Sequence, residues 1–418
     1  MLTTELQTRH FAPDKPEQRE LSILQLIHSG SGYSRLDLAR KTGLSPSSIT
    51  AIVRKMMGTG LITESSAGSS VLGRKPVPLE IRGDCGYLVG IDIGSFYTRT
   101  VVTDINGRIA YKHQIETGLA DGRVGVLKRA FGCVDQAIKA VGVPRNSVLG
   151  IGIGHSGVID PDKGLVISYP RPGQIAEWKN VPLRDLFEDE FKVPCLLEDS
   201  ARTMATAERC FGLGRNVDDF LYIEVGVGIG AAFFLDGKFY RGCGGSAGEF
   251  GHITVKENGP ICSCGNVGCL ESVASCAAII QEVRKALEHG VDSKIQDLSG
   301  GNLERISIEV IAQAAAANDS LAFRVLQDAA SYVATGLADL VNLLNPQLIV
   351  FGGALFRAAP QLISDPLLRI VKKRSLEKSV KDVNLKVSPL GEEAGALGAS
   401  RMIAGRVLED LYLHILSQ

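Results

Sequence analysis

The sequence predicts a mixed α/β protein: a small helical head closed by a two-stranded ribbon, then two related α/β lobes that face each other across a cleft. Three observations predict it. Three short amphipathic helical patterns open the chain within its first sixty residues, a strand–turn–strand pattern occurs twice (88–107 and 221–240), and a His/Cys cluster at 252–269 has the spacing of a metal site. With 45 Lys+Arg against 46 Asp+Glu and 45% hydrophobic residues in 418, the composition is that of a folded globular chain and excludes fibrous or disordered classes. No apolar run approaches the ~18 residues a membrane span needs. The amino terminus, MLTTELQTRHFAPDKPEQRE, lacks the apolar core of an export signal. A cytoplasmic protein without membrane contact is expected.

In the head, Leu21, Leu24 and His28 share one helical face with Ile23 and Ile27 beside it, and Gly30 and Gly32 stop the run. Ser34 can cap a second helix that runs to Thr42, where Gly43 turns the chain. Ser45 and Pro46 open a third helix with Ile49, Ile52, Val53 and Met56 as its buried stripe. The opposite face presents Ser47, Ser48, Thr50, Arg54 and Lys55, the side chains of a recognition helix entering a major groove, with Ser45 at its start. Leu61 to Thr63 and the alternating Val77, Leu79 and Ile81 read as a two-stranded wing. Its Gly73-Arg74-Lys75-Pro76 tip is narrow and cationic, suited to the minor groove of A·T-rich DNA. Residues 1–82 hold 11 Lys+Arg and 7 Asp+Glu, leaving 34 and 39 for the rest, so the head is the positive part of the chain. An ordinary three-helix bundle with a solvated loop is the alternative. The order of helices, turn, cap and basic wing favours winged helix-turn-helix DNA binding.

The repeated segments are LVGIDIGSFYTRTVVTDING and LYIEVGVGIGAAFFLDGKFY, with Asn106-Gly107 and Asp236-Gly237 as hairpin turns. Their Gly-rich hairpins could wrap phosphates. Gly226, Gly228 and Gly230 do not form a dinucleotide fingerprint, because a strand (231–235) rather than a helix follows them. The expected division is 1–82 for the head, 86–200 for the first lobe, 201–392 for the second, and 393–418 for a C-terminal helix packing back on the first lobe.

Three of the nine cysteines lie within eight residues. His252, Cys262, Cys264 and Cys269 form a Cys3His set of the kind that holds tetrahedral Zn²⁺; all four positions are filled, which marks a structural rather than a catalytic site. Disulfides or redox cysteines are the alternatives. Asp199, Glu249 and Glu271 flank this cluster in sequence or in the expected cleft, and carboxylates that accept hydrogen bonds from vicinal hydroxyls are what a sugar site needs. Solvated loop charges are the alternative.

Together, the winged helix, Asp92-Ile93-Gly94, Gly-Glu-Phe-Gly-His at 248–252 and Cys-Ser-Cys-Gly-Asn-Val-Gly-Cys-Leu-Glu at 262–271 resemble the ROK family of repressors and sugar kinases, specifically its repressor branch. The resemblance implies an actin-like (ribonuclease H-like) two-lobed fold with a hinge, and homodimers or homotetramers. It also implies sugar contacts at Gly157, Asp199, Glu249, His252 and Glu271, with His252 shared with zinc. Glu198 and Gln174 are expected sugar contacts too, with altered specificity, because two contact positions depart from the family: its Asn-Asp pair reads Glu198-Asp199, and its Asn before the Trp aligns with Gln174 before Trp178.

The kinase pattern Asp-Ile-Gly-Gly-Thr reads Asp92, Ile93, Gly94, Ser95, Phe96 here, and Gly-Thr-Gly reads Gly226, Val227, Gly228, while Glu224 is expected to add negative charge nearby. Phosphoryl transfer depends on positioning and electrostatic stabilisation, so these losses argue against kinase activity. Gly352-Gly353, on the adenosine side in the family, are expected to be packing residues. The expected function is a sugar-responsive repressor acting on a double-stranded DNA operator, with half-sites ~34 Å or a multiple apart. An ATP-dependent sugar kinase with a DNA-binding head, or a regulator controlled by a sugar-transport protein partner, are its rivals.

Overall fold

The structure is a computed structural model and describes residues 16–28, 32–65, 77–169 and 177–417. Arg74, Lys75 and Gln174 lie outside the described residues.

The head is built of helices α1 (Pro16–His28), α2 (Arg35–Thr42) and α3 (Pro46–Gly58), and the ends of α2 and α3 are closed locally. The Ser34 hydroxyl accepts from the Asp37 N–H at 3.3 Å while the Asp37 carboxylate accepts from the Ser34 N–H at 3.0 Å, a reciprocal capping box. Gly43, at φ 71°, ends α2 in the left-handed region that a Cβ disfavours. Ser45 caps α3 by accepting from Ser48 N–H at 3.1 Å, with Pro46 in the first turn. Strands β1 (Ile62–Glu64) and β2 (Leu79–Ile81) pair antiparallel, Ile62 opposite Ile81. Ile23, Leu24, Ile27, Leu38, Ile49, Val53 and Met56 are buried together with Ile62, Leu79 and Ile81, each contributing ~1.5–3 kcal/mol.

The first lobe contains β3 (Tyr87–Ile93), β4 (Tyr97–Asp104), β5 (Ile109–Glu116), α4 (Gly122–Val141), β6 (Val148–His155), the small pair β7 (Val158–Asp160) and β8 (Leu165–Ser168), α5 (Leu183–Phe191) and β9 (Cys195–Asp199). Helix α6 (Ser200–Phe211) leads to the second lobe: β10 (Phe220–Val225), β11 (Ile229–Leu235), β12 (Lys238–Tyr240), α7 (Leu270–Ala274), α8 (Cys276–Glu288), α9 (Lys294–Leu298), α10 (Ile308–Ala316), α11 (Ser320–Leu344), β13 (Leu348–Gly352), α12 (Ala354–Ala358), α13 (Pro360–Arg374), α14 (Glu377–Val380) and β14 (Asn384–Val387). The chain closes with α15 (Ala394–Ser417).

The two five-stranded sheets share one topology, β5-β4-β3-β6-β9 and β12-β11-β10-β13-β14. In each, tight turns leave the first three strands antiparallel, and helical crossovers bring the next two in parallel. The Asp236-Gly237 turn has φ 52° and 71°, the two positive values a tight hairpin turn demands. Helix α15 lies directly on the first sheet, because Gly90 and Gly152 leave no room for a side chain: a Cβ there would stand 1.8 and 1.9 Å from the Ala396 and Ala399 carbonyl oxygens. Helix α6 packs against α15 and, through Ala205, under the aromatic face of the second sheet (Phe220, Tyr222, Phe234). The far end of α15 is buried in the head, where Ile403, Val407, Leu408 and Tyr412 join the winged-helix core.

Candidate functional site

A cleft of about 950 Å³ opens between the lobes, lined by both Gly-rich hairpins, the start of α6, the 245–249 loop and Glu271. At one end three carboxylates converge. Asp199 ends β9 and caps α6, its Oδ1 accepting from Arg202 N–H at 3.2 Å. Burial pushes its carboxyl up to about 7 against the pull of Arg202, with Glu198 and Glu249 adding to the rise. Glu271 accepts from the Ile229 N–H at 2.9 Å, which fixes one carboxylate oxygen on the second hairpin. Glu249 is exposed, its Oε2 3.9 Å from His252 Nε2. Gly157 also lines the cleft, but its N–H donates to His155 Nδ1 at 2.9 Å and is therefore occupied. His155 is buried against Trp178 and Tyr169, and that burial lowers its pKa to about 3, so the ring is neutral and accepts this bond.

Glu198 sits differently from its neighbour and is not among the residues lining the cleft. Its carboxylate is almost fully buried, 3.3 Å from Arg202 Nη1 and 2.5 Å from Arg241 Nη2. Arg202 also donates to the Gly245 and Ala247 carbonyls, so the Glu198–Arg202–Arg241 group ties down the loop that carries Glu249. Sequence reasoning passed over both arginines. The Glu198-to-Arg202 spacing of four was the one local signal; Arg241 offered none.

The Cys/His cluster is assembled as its spacing predicted. Cys264 Sγ is 3.7 Å from Cys269 Sγ, Cys262 Sγ is 3.6 Å from His252 Nδ1, and all four ligand atoms lie within 4.8 Å of one another. A tetrahedral ion bound at ~2.3 Å to sulfur and ~2.0 Å to nitrogen would set its ligands roughly 3.5–3.8 Å apart, so the donor set fits a metal ion. The loop closes around it through Cys262 N–H to the Asn266 carbonyl and Gly265 N–H to the Cys262 carbonyl, 2.8 and 2.9 Å. Gly268 is required at its turn: φ is 68°, and a Cβ would meet the Lys256 carbonyl at 1.7 Å. His252 turns Nδ1 to the cysteines and Nε2 toward Glu249, joining the cluster to the cleft.

At the hairpin end, Phe96 stands 64% exposed in the cleft. Asp92 is buried and accepts from the Ser200 hydroxyl at 2.6 Å. Burial, reinforced by Asp92 and Asp199, pushes Glu224 up to about 8. The negative charge expected from Glu224 is therefore mostly absent at neutral pH: desolvation at the cleft floor keeps it protonated. Arg99 of the first lobe and Arg357 of the second both reach Glu392, at 3.0 and 3.3 Å, in the segment that joins β14 to α15. A Cβ on Gly352 would lie 1.9 Å from the Tyr222 hydroxyl, so that glycine serves packing.

On the head, Ser47, Ser48 and Arg54 are exposed along α3. The Ser45 hydroxyl lies 2.8 and 2.9 Å from those of Ser47 and Ser48. Thr50 turns its hydroxyl back to the Pro46 carbonyl at 2.8 Å. Arg54 has no ion pair among the described residues, whereas Lys55 Nζ is held 2.8 Å from both carboxylate oxygens of Glu20.

Residues 88–406 match the model of the ROK family. The chain belongs to the ROK family. Residues 17–63 match a winged helix-turn-helix DNA-binding model. A putative xylose repressor from Caldicellulosiruptor sp. (strain Rt8B.4) is 32% identical over 390 residues, 93% of this chain and 96% of that protein. Among solved structures, a ROK family transcriptional regulator described as a homologue of the E. coli Mlc protein superposes with TM-score 0.77 at 27% identity, covering 96% of this chain and 99% of that one. A ROK family glucokinase from Streptomyces griseus, in complex with glucose and AMPPNP, gives TM-score 0.68 at 28% identity over 76% of this chain and 99% of its own. Both branches thus share this ROK fold, and the winged head places the chain beside the regulators.

Proposed function

We propose that the protein is a sugar-responsive transcriptional repressor whose winged heads hold an operator until a monosaccharide enters the cleft. The observation that carries this reading is the union in one chain of a winged helix-turn-helix and a ROK cleft whose carboxylates converge beside His252. Asp199, Glu249 and Glu271 are the proposed hydroxyl acceptors, with His252 Nε2 a further polar contact and Gly157 a wall. Ser47, Ser48 and Arg54 are the proposed groove contacts. His252, Cys262, Cys264 and Cys269 are the proposed holders of a structural zinc ion, which would lock the loop between Glu249 and Glu271; a filled set of four protein ligands leaves no position for catalysis. A sugar that prefers one hinge angle changes the placement of two heads in an oligomer, and a coupling of ~1–3 kcal/mol shifts DNA affinity roughly 5- to 150-fold.

The kinase reading draws support from the glucokinase likeness. Against it stand an exposed Phe96 and Val227 in the two hairpins, and two cleft arginines already engaged by Glu392 instead of facing a triphosphate. The deciding experiment enriches a duplex from a random pool with the full chain, then adds D-xylose, D-glucose and other monosaccharides in turn while an ADP-release assay runs on the same panel. Release of DNA by one sugar without ADP is expected. Sugar-dependent ADP release near 1 s⁻¹ would replace the repressor by an enzyme, and silence to all sugars would favour a sugar-transport protein as the effector.

A further inference from the structure

Helix α1 runs antiparallel along α15: Arg401 donates to the His28 carbonyl, Gln25 to Glu409, and the Tyr412 hydroxyl to Glu20 Oε2 at 2.8 Å. As α15 advances from residue 401 to 412, its partners on α1 recede from 28 to 20. At the innermost of these ties, Glu20 also holds the recognition helix. Its two oxygens each accept from Lys55 Nζ at 2.8 Å. The carboxylate is 10% exposed and Tyr412 is fully buried. At the opposite end of α15, Gly395 lies against Asp92, where a Cβ would come within 2.4 Å of Oδ2, and Gly398 lies against the Thr203 carbonyl. From Gly395 to Tyr412 the helix spans roughly 25 Å at 1.5 Å per residue.

We infer that Glu20 and Tyr412 are positioning residues, Tyr412 holding the Glu20 carboxylate and Glu20 the half-exposed Lys55 ammonium, so that recognition helix α3 is registered on α15 and, through it, on the floor of the cleft. Lys55 is then a joint and not a phosphate contact. If it swung to DNA, the nearly buried Glu20 carboxylate would keep only the Tyr412 hydroxyl among these partners, and a buried acceptor left under-satisfied costs more than the bond it loses is worth. Arg54, one residue earlier, exposed and without an ion pair among the described residues, is the cation that α3 has left to face DNA. A tilt of α15 at Asp92 reaches α3 through bonds of charged groups, which are stronger and shorter than neutral ones.

The inference rests on the reading of α3 as a recognition helix, and the test separates the two. The affinity of the full chain for its enriched duplex is measured across a salt series. Lys55→Gln is expected to weaken binding about tenfold (~1.4 kcal/mol) with an unchanged salt slope, and Lys55→Arg, which can still bridge the carboxylate, to restore it. Glu20→Gln frees the ammonium and is expected to steepen the slope by about one unit. A slope made shallower by about one unit in Lys55→Gln would mean that the lysine meets a phosphate, and it would overturn the joint. Should Lys55→Gln fail to fold, Tyr412→Phe carries the test: weaker binding at unchanged slope supports the joint, and unaltered affinity rejects it. If the unmodified chain enriches no duplex, the DNA-binding reading itself fails and the joint falls with it.

Discussion

At the His252 end of the cleft, Asp199, Glu249 and Glu271 come from three separate segments and all line the opening; at the hairpin end, the same strand–turn–strand module presents Phe96 and Val227, and the nearby arginines are bound to Glu392. Both ends grew from one topology, repeated strand for strand in the two sheets. The difference lies in what their polar groups have left over. A carboxylate with one oxygen pinned by a backbone N–H, as in Glu271, still has acceptor capacity for a ligand. Arg99 has its Nη2 on Glu392 and its Nε on Gln114, and Arg357 shares the same Glu392, so a phosphate there would have to compete with that carboxylate for both guanidinium groups.

The contrast can be broken in four ways. The largest effect is expected at the cysteine cluster: Cys264→Ser, or removal of metal by chelator, should destabilise the second lobe by about 4 kcal/mol or more, the range seen when a metal site is lost. Thermal unfolding with and without chelator, alongside elemental analysis, checks this; unchanged unfolding in a metal-free protein would show that the loop stands without an ion. Next, Asp199→Asn should weaken sugar binding by ~2–3 kcal/mol, the worth of a hydrogen bond to a charged group, read by calorimetry with the responsive monosaccharide.

A smaller effect concerns pH. Asp199 accepts hydroxyl protons best as a carboxylate, and its carboxyl has been pushed up to about 7. Sugar affinity should therefore climb between pH 6 and 8 by up to about tenfold and then level off, and Asn at 199 should flatten the profile. Stability follows the opposite sign. The raised carboxyl favours the folded state fully below its ordinary 3.8, and that advantage is lost as pH rises through about 7. The smallest effect is expected at Phe96→Thr, an exposed position: restoring the kinase-type hydroxyl should leave stability within ~0.5 kcal/mol and yield no ADP release. Turnover in that variant would show that one side chain alone separates the two ends of the cleft.

The legible parts of this molecule are those closed by neighbours in sequence. Ser34 and Ser45 cap helices three residues on, Asp236-Gly237 turns a hairpin, and the cysteines gather within one short loop. The illegible parts are pairings between distant segments. Glu198 read as a sugar contact, yet Arg241 lies forty-three positions away and draws its carboxylate under the loop. Lys55 read as a groove contact, yet Glu20, thirty-five positions back and itself tied to Tyr412 near the other end of the chain, accepts from its ammonium. Glu224 read as a standing charge until the cleft floor closed over it.

By itself, the amino-acid sequence determined the head, the doubled hairpin architecture and the Cys/His donor set, because caps, turns and ligand spacing act over a few residues, where chain connectivity already supplies proximity. Only the tertiary structure decided which charges remain available: whether a carboxylate faces the cleft, pairs with an arginine or takes up a proton depends on burial and on partners that meet only once the two sheets, α6 and α15 have packed together.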